Sequence, residues 1–170
     1  MEFLELAKAR YSCRKLTAKE IEPEKIERIL QAAIVAPTAK NIQPFKIWKV
    51  STPSAMDKLK QTTKFTFGAE LALIVGVKYD NAFVRPFDNV NFALIDGSIV
   101  ATHIMLAVQD EGLATTWVGY FDAPKLKELF PEMQDYELIA VFPIGYPADD
   151  AKPSNRHEDR RNISDVVTEL

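Results

Sequence analysis

Two arginines flank a hydroxyl side chain near the N-terminus, in the run Arg10-Tyr11-Ser12-Cys13-Arg14. Guanidinium groups make forked, charge-assisted hydrogen bonds with a phosphate monoester, and a serine hydroxyl can add another. The same arginines would also complement the dipole of a helix that ends there. By itself the pentapeptide indicates either a phosphate site or an ordinary helix end.

A second polar segment, residues 36–45, is bounded by Pro37 and Pro44. Between the prolines, Thr38, Asn41 and Gln43 carry hydroxyl and amide groups that can bind the polar edge of a planar heterocycle. Thr and Asn also commonly satisfy the backbone groups of a turn. Both interpretations stay open at this point.

Two further sets of residues could contact a ligand. Gly119 would let the backbone approach a flat ring closely, with Trp117 packed beside it. The alternative is that Trp117 belongs to the core and Gly119 turns the chain. Near the C-terminus, Arg160 and Arg161 are either further anion ligands or part of a solvated, charged tail.

Composition limits the class of protein. The 170 residues suit one domain, and a net charge of -3 argues against a nucleic-acid partner. The single cysteine excludes an intrachain disulfide and an all-cysteine metal site, and His103 and His157 lack metal-ligand spacing, so we expect no metal. Residues 1–12 lack a signal pattern, and the most apolar stretch, 91–108, is short for a membrane span. We expect a soluble, cytoplasmic protein with a solvent-exposed His157.

Apolar periodicity predicts the elements that must position these residues. Helices are predicted at residues 3–10, from Pro23 to a stop at Pro37, and at 54–63, 90–111 and 123–130. Strands are predicted at residues 45–50, 71–79 and 138–144, with strand or turn at 115–121 and a loop at 80–89. Helices and strands do not alternate regularly, which favours an α+β fold.

The helix at residues 90–111 is apolar around its whole circumference, so we expect it to be buried in its own domain or against a partner. Gly112 follows it, at the position where a left-handed C-terminal cap belongs.

Taken in order, four stretches make the chain resemble the nitroreductase family of FMN enzymes. They are RYSCRKLT, IERILQAAIVAPTAKNIQPFKIWKV, DGSIVATHIMLAVQDEGLATTWVGYF, and IGYP followed by RRNISDVV. The resemblance implies a mixed, mostly antiparallel sheet flanked by helices, as one domain over residues 1–170. It also implies an intertwined homodimer with two FMN sites at the interface, much of it formed by the helix at 90–111.

The resemblance also assigns roles to the candidate residues. Arg10, Ser12 and Arg14 would face the phosphate and ribityl end, with Arg160 or Arg161 as a further cation. A loop of the other subunit would approach the flavin, and a backbone N–H near Gly119 would lie by flavin N5. The full set of expected FMN contacts is Arg10, Tyr11, Ser12, Arg14, Pro37, Thr38, Asn41, Gln43, Trp117, Val118, Gly119, Arg160 and Arg161.

The implied reaction takes hydride from NADH or NADPH onto flavin N5 and reduces a small acceptor such as a nitroaromatic or quinone. No side chain is expected to act as a nucleophile or general base, because the cofactor carries the chemistry. The alternative is a flavin- or ligand-binding homodimer of the same fold without turnover of NAD(P)H. Neither reading needs a nucleic acid or a membrane.

The chain departs from the family pattern at several positions. Lys40 stands where a small residue is usual, Phe45 where tryptophan is usual, and Asn162 where proline is common. Lys40 would either add charge to the substrate pocket or point to solvent. Residues 80–89 leave little room for the helical insertion that covers the flavin in larger members, so the substrate site is expected to be either more open or built differently.

Overall fold

A computed structural model describes residues 2–170 and contains five α-helices and four β-strands in this part of the chain. In chain order they are α1 (Phe3–Ala9), α2 (Pro23–Ile34), β1 (Phe45–Val50), α3 (Pro53–Lys60), β2 (Leu71–Val77), α4 (Ala93–Asp110), β3 (Ala114–Thr115), α5 (Ala123–Leu129) and β4 (Glu137–Gly145). Short 3-10 turns lie at Ala39–Asn41, Pro131–Met133 and Ile163–Asp165.

The four strands form one antiparallel sheet in the order β1-β2-β4-β3. Strand β2 is buried along its whole length, which explains why its sequence, LALIVGV, is continuously apolar rather than alternating. Strand β1 pairs with it from Phe45 opposite Val77 to Val50 opposite Ala72. The bounds predicted for β1 match the structure.

Helices cover both faces of the sheet, so the α+β class and the helix-flanked antiparallel sheet are confirmed. On one face, α2 and α4 pack on β2 and β4 through a cluster that includes Ile29, Ala33, Val100, Ile104, Leu73, Val75, Ala140 and Phe142. On the other face, α3 and α5 pack through Met56, Leu59, Leu126, Ala72, Ile74 and Val141.

Helix α4 begins at Ala93, three residues later than the predicted start at residue 90. Residues 90–92 are bonded to the preceding loop instead: Val84 bridges to Asn91, and Phe92 donates to the Phe83 carbonyl over 2.8 Å. The Asn91 side chain then accepts the N–H of Ala93 over 2.9 Å, which satisfies a free donor at the helix start. At the other end Gly112 has φ +69°, as its predicted role as a left-handed cap requires.

One face of α4 is open to solvent. Its buried residues are Ala93, Asp96, Gly97, Val100, Ala101, Ile104 and Val108. Leu94 and Ile95 on the opposite side are each 43% exposed in the single chain, whereas the apolar sequence predicted a helix buried in its own domain or against a partner. Helix α4 is therefore central to this chain on one side only.

Replacing Gly97 with valine is expected to destabilise the protein. A Cβ at this position would lie 2.5 Å from Val77 Cγ1 and 2.8 Å from Ile139 Cδ1, because α4 lies directly on the sheet. Overpacking costs about 1 to 3 kcal/mol, which outweighs the roughly 0.5 kcal/mol gained when valine replaces glycine inside a helix. Thermal unfolding of the wild-type protein, Gly97→Val and the control Gln109→Val measures how far each substitution lowers the unfolding temperature. Equal stability of the two variants would contradict the close contact.

Candidate functional site

The segment that follows α1 is fixed as an extended edge beside β3. Cys13 is fully buried and its N–H donates to the Thr115 carbonyl over 3.0 Å, while Ser12 forms a parallel bridge with Thr115. Because side chains alternate along an extended chain, Ser12 and Arg14 point away from the buried Cys13. The buried cysteine thus anchors a segment that presents polar side chains on its other side.

Those side chains line a cavity of about 160 Å³ that the C-terminal segment helps to form. Its lining residues are Arg10, Tyr11, Ser12, Arg14, Ser154, Arg156, His157 and Arg160. His157 Nε2 lies 3.1 Å from the Lys8 carbonyl, and the rings of His157 and Tyr11 meet edge to face at 6.2 Å. These contacts bring the charged tail back onto α1.

The cavity is strongly cationic in a chain of negative net charge. Four guanidinium groups and two serine hydroxyls line it, and the described lining residues include no carboxylate. Burial and a hydrogen bond with Cys13 raise the pKa of Tyr11 to about 12, so its hydroxyl adds no negative charge at neutral pH. This donor set suits a phosphate group, which accepts several charge-assisted hydrogen bonds at once.

The structure distinguishes the two neighbouring arginines near the C-terminus. Arg160 lines the cavity and also donates from Nη1 to the Asp159 carbonyl over 2.8 Å. Arg161 does not line this cavity and instead donates to the Asp165 carbonyl. The geometry therefore favours Arg160 as the anion ligand, a choice that the sequence left open.

Three cavity residues, Ser154, Arg156 and His157, were not among the sequence candidates. His157 is half-buried, so the expectation that it is solvent-exposed was wrong. Its contact with the Lys8 carbonyl joins residues 149 positions apart, which no local pattern reveals. The one available signal was the concentration of basic residues around Arg156 and Arg160.

The proline-bounded loop has an unusual backbone. Lys40, Asn41 and Gln43 have φ of 53°, 55° and 56°, in the left-handed region that non-glycine residues seldom occupy. Two hydrogen bonds that involve side chains help to hold the loop internally: the Gln43 N–H donates to Thr38 Oγ1, and Gln43 Nε2 donates to Asn41 Oδ1, both over 3.0 Å. A strained but internally bonded loop of this kind is typical of ligand-binding segments.

A buried carboxylate ties this loop to α4. Asp96 is 1% exposed, and its Oδ1 accepts the N–H of Ala39 over 2.9 Å. Its Oδ2 is also buried and has no hydrogen-bond partner in the part of the chain that the structure describes. The position of the loop therefore depends on the position of α4. Gly97, next to Asp96, lets α4 pack closely on the sheet, so this packing also affects the loop.

The segment from Trp117 to Gly119 offers an open backbone surface. Val118 exchanges both backbone hydrogen bonds with Val141 at 3.0 Å, so its N–H is already used. Gly119 is exposed, and a Cβ there would have only Trp117 Nε1 within 4 Å, at 3.9 Å. Trp117 packs edge-on against Phe142 at 5.4 Å. A flat group could therefore approach the backbone at Gly119.

The candidate residues fall into two groups within this chain. The cavity segment and the Gly119 segment are joined by the bridge between Ser12 and Thr115. The loop at residues 37–44 is bonded to α4, and within the described chain no hydrogen bond or ion pair links it to a cavity residue.

Neither a metal site nor a membrane-spanning helix is found within residues 2–170. No group of His, Cys, Asp or Glu there is arranged to hold a metal ion. None of the helices in that range has both the length and the apolarity to cross a bilayer.

Comparisons with known proteins identify the family. A sequence model described as the Nitroreductase family matches residues 7–67 and 62–146. An Archaeoglobus fulgidus protein, provisionally named NADH dehydrogenase/NAD(P)H nitroreductase, is 30% identical over 169 residues, which are 95% of this chain and 94% of that one. The crystal structure of a nitroreductase family protein from Clostridium difficile 630 is 36% identical with a TM-score of 0.90, and the match covers 99% of this chain and 98% of that one.

A further solved structure, from Exiguobacterium sibiricum 255-15, is in complex with FMN. It is 22% identical with a TM-score of 0.82, and the match covers 100% of this chain and 98% of that one, which shows a shared fold. The resemblance predicted from the sequence motifs is confirmed by the family match and the relatives together. The chain belongs to the nitroreductase family.

Proposed function

We propose that this chain, as one domain over residues 1–170, forms a homodimeric FMN-dependent oxidoreductase. It takes hydride from NADH or NADPH and reduces a small acceptor such as a nitroaromatic or quinone. Membership of the nitroreductase family and the names of its relatives support this class of reaction. The observation that carries the proposal is the cationic cavity, whose Ser12 is bridged to Thr115 in the segment that leads to the open backbone at Gly119.

The cavity fits the phosphate of FMN. Arg10, Arg14, Arg156 and Arg160 supply positive charge, and Ser12 supplies a hydroxyl. Guanidinium groups bind phosphate oxygens in pairs, so these residues would fix the phosphate end in both position and orientation. The absence of a carboxylate among the described lining residues removes the repulsion that a dianion would otherwise meet.

The Gly119 segment fits a flat ring. FMN, when bound, supplies the atom that accepts and donates hydride. Since the Val118 N–H is bonded to Val141, the N–H of the exposed Gly119 is a donor that this segment can offer to the ring. A fixed backbone donor next to a centre where charge develops stabilises that charge without reorganisation. Trp117, held against Phe142, would limit the depth to which the ring enters.

The loop at residues 37–44 would complete the site from a second copy of the chain. Its internal bonds use Thr38 Oγ1, Asn41 Oδ1 and Gln43 Nε2. The Asn41 amide nitrogen and the Gln43 amide oxygen then remain as a donor and an acceptor, the pair that the pyrimidine edge of a flavin requires. Within residues 2–170 of one chain the loop forms no hydrogen bond or ion pair with the cavity, which agrees with a site built by two chains.

The open face of α4 suits the dimer contact. Leu94, Ile95 and Ile99 lie along a shallow groove together with Ser98 and Thr102. The two hydroxyls donate back into the helix, Ser98 to the Leu94 carbonyl over 2.7 Å and Thr102 to the Ser98 carbonyl over 2.9 Å. Because these polar groups are already satisfied, the groove can be buried against another copy at little cost.

The first test is the absorption spectrum of the purified protein, with FMN added if needed, before and after anaerobic NADH or NADPH. We expect flavin bands near roughly 370 and 450 nm that bleach with the nicotinamide. Bands that persist with both nicotinamides would favour a flavin-binding homodimer without turnover. If the protein takes up no FMN, the proposal is wrong.

The second test compares the two neighbouring arginines. Arg160→Met should weaken FMN binding about 10-fold, because a hydrogen bond to a charged group contributes on the order of 1.5 kcal/mol. Arg161→Met should change it less than about twofold, since the structure turns Arg161 to Asp165. Titration of the wild-type apoprotein and both variants with FMN and with riboflavin, which lacks the phosphate, gives the dissociation constants to compare. Equal losses for the two flavins would show that Arg160 does not act on the phosphate.

A further inference from the structure

Lys40 occupies the tip of the strained loop and its side chain reaches the neighbouring segment. Its φ of 53° falls in the left-handed region, and the residue is exposed. Its Nζ lies 4.8 Å from the centre of the Phe83 ring, a cation–π contact. Phe83 itself packs edge to face on Phe92 at 5.4 Å. The ammonium group is therefore held between the loop and residues 80–92 rather than extended freely into solvent.

No carboxylate of the described chain neutralises this ammonium group, since none of the ion pairs within residues 2–170 involves Lys40. Residues 80–92 contain two acids, Asp80 and Asp88. Asp88 is held by Arg85, whose Nε lies 2.7 Å from Asp88 Oδ1 and whose Nη2 contacts Asp88 Oδ2, and Asp80 forms no ion pair with Lys40 in the described chain. Asp96, at the base of the loop, accepts the Ala39 N–H. An aromatic ring covers one side of the ammonium and leaves its remaining N–H groups able to bind an anion.

We propose that Lys40 makes the acceptor site selective for aromatic acceptors that carry a negative charge, such as a carboxylate on the ring. This inference rests on the proposed function, in which the loop at residues 37–44 approaches the flavin from the second subunit. Residues 80–92 contain no helix that could cover the loop tip. An acceptor stacked against the flavin would then have the Lys40 charge and the Phe83 ring at its edge.

The effect has a predictable size. An exposed ion pair strengthens binding by up to about fivefold, and an uncharged amide in place of the carboxylate loses that gain. We therefore expect the wild-type protein to prefer p-nitrobenzoate over p-nitrobenzamide, and Lys40→Met to lower the ratio of the two kcat/KM values about fivefold. Lys40→Arg keeps the charge and should retain most of the preference.

A matched control is available on the far face of the sheet. Lys58 is also exposed and lies 5.2 Å from the centre of the Phe130 ring, but it belongs to α3. Lys58→Met removes the same charge and the same kind of contact without touching the loop. The ratio of kcat/KM for p-nitrobenzoate to kcat/KM for p-nitrobenzamide should be the same in Lys58→Met as in the wild-type protein.

A second readout does not depend on turnover. Benzoate and benzamide cannot be reduced as nitro compounds are, so titrating them into the FMN-loaded protein and following the flavin spectrum measures binding alone. Benzoate should bind about fivefold more weakly to Lys40→Met than to the wild-type protein, while benzamide should bind equally to both. High salt should reduce the wild-type preference, because an exposed pair is screened.

The outcomes separate this inference from the proposed function. In one outcome FMN binds and bleaches with NAD(P)H while Lys40→Met changes neither the ratio of kcat/KM values nor the affinity for benzoate relative to benzamide. That result overturns the role of Lys40 and leaves the oxidoreductase proposal standing. If Lys40→Met instead weakens FMN binding, or raises the KM for NADPH but not for NADH, the charge serves the cofactor or the donor and the acceptor role is again overturned. If the wild-type protein binds no FMN, both proposals fall together.

Discussion

Four guanidinium groups share a cavity of about 160 Å³ in a chain whose net charge is -3. Like charges confined to one small cavity repel each other, so other contacts of the fold must hold these arginines in place. Buried Cys13 and its hydrogen bond to Thr115 fix one wall, and the contact between His157 and the Lys8 carbonyl fixes the other. A dianion that binds between them relieves the repulsion only in the folded state. If the phosphate of FMN binds there, as proposed, it stabilises the folded state by mass action.

The loop at residues 37–44 has a strained backbone, because three of its non-glycine residues have positive φ. Each such residue costs of order 1 to 3 kcal/mol unless its surroundings impose the conformation. Here the flanking prolines, the hydroxyl of Thr38 and the carboxylate of Asp96 impose it. Asp96 is in turn placed by α4, which lies directly on the sheet because Gly97 has no side chain. The loop conformation is thus a consequence of helix–sheet packing some distance away.

The sequence correctly predicted the helices and strands whose start is determined by neighbouring residues. Pro23 and the apolar spacing of α2, and the flanking Pro44 of β1, mark where these elements begin. The start of α4 was predicted too early, because the pairing of Val84 with Asn91 overrides the helical pattern of residues 90–92. Arg156 and His157 were missed because a charged tail looks solvated until its contact with α1 is known. The family resemblance, rather than periodicity, linked Arg10 with Arg160 or Arg161, and the choice between these two needed the structure.

Different parts of the fold position the two groups of candidate residues, the cavity with Gly119 and the loop at residues 37–44. This difference has a thermodynamic consequence. The arginine cavity and Gly119 share one support through the bridge between Ser12 and Thr115, whereas the loop depends on α4, whose outer face is apolar and open. If a bound flavin contacts the first group in one chain and the loop of another, it is itself part of the dimer contact. Linkage then requires that FMN strengthen dimerisation by the same factor by which dimerisation strengthens FMN binding. Under that arrangement the exposed apolar face of α4 and the cationic cavity contribute to a single binding equilibrium, although no hydrogen bond or ion pair in the described chain links the loop to the cavity.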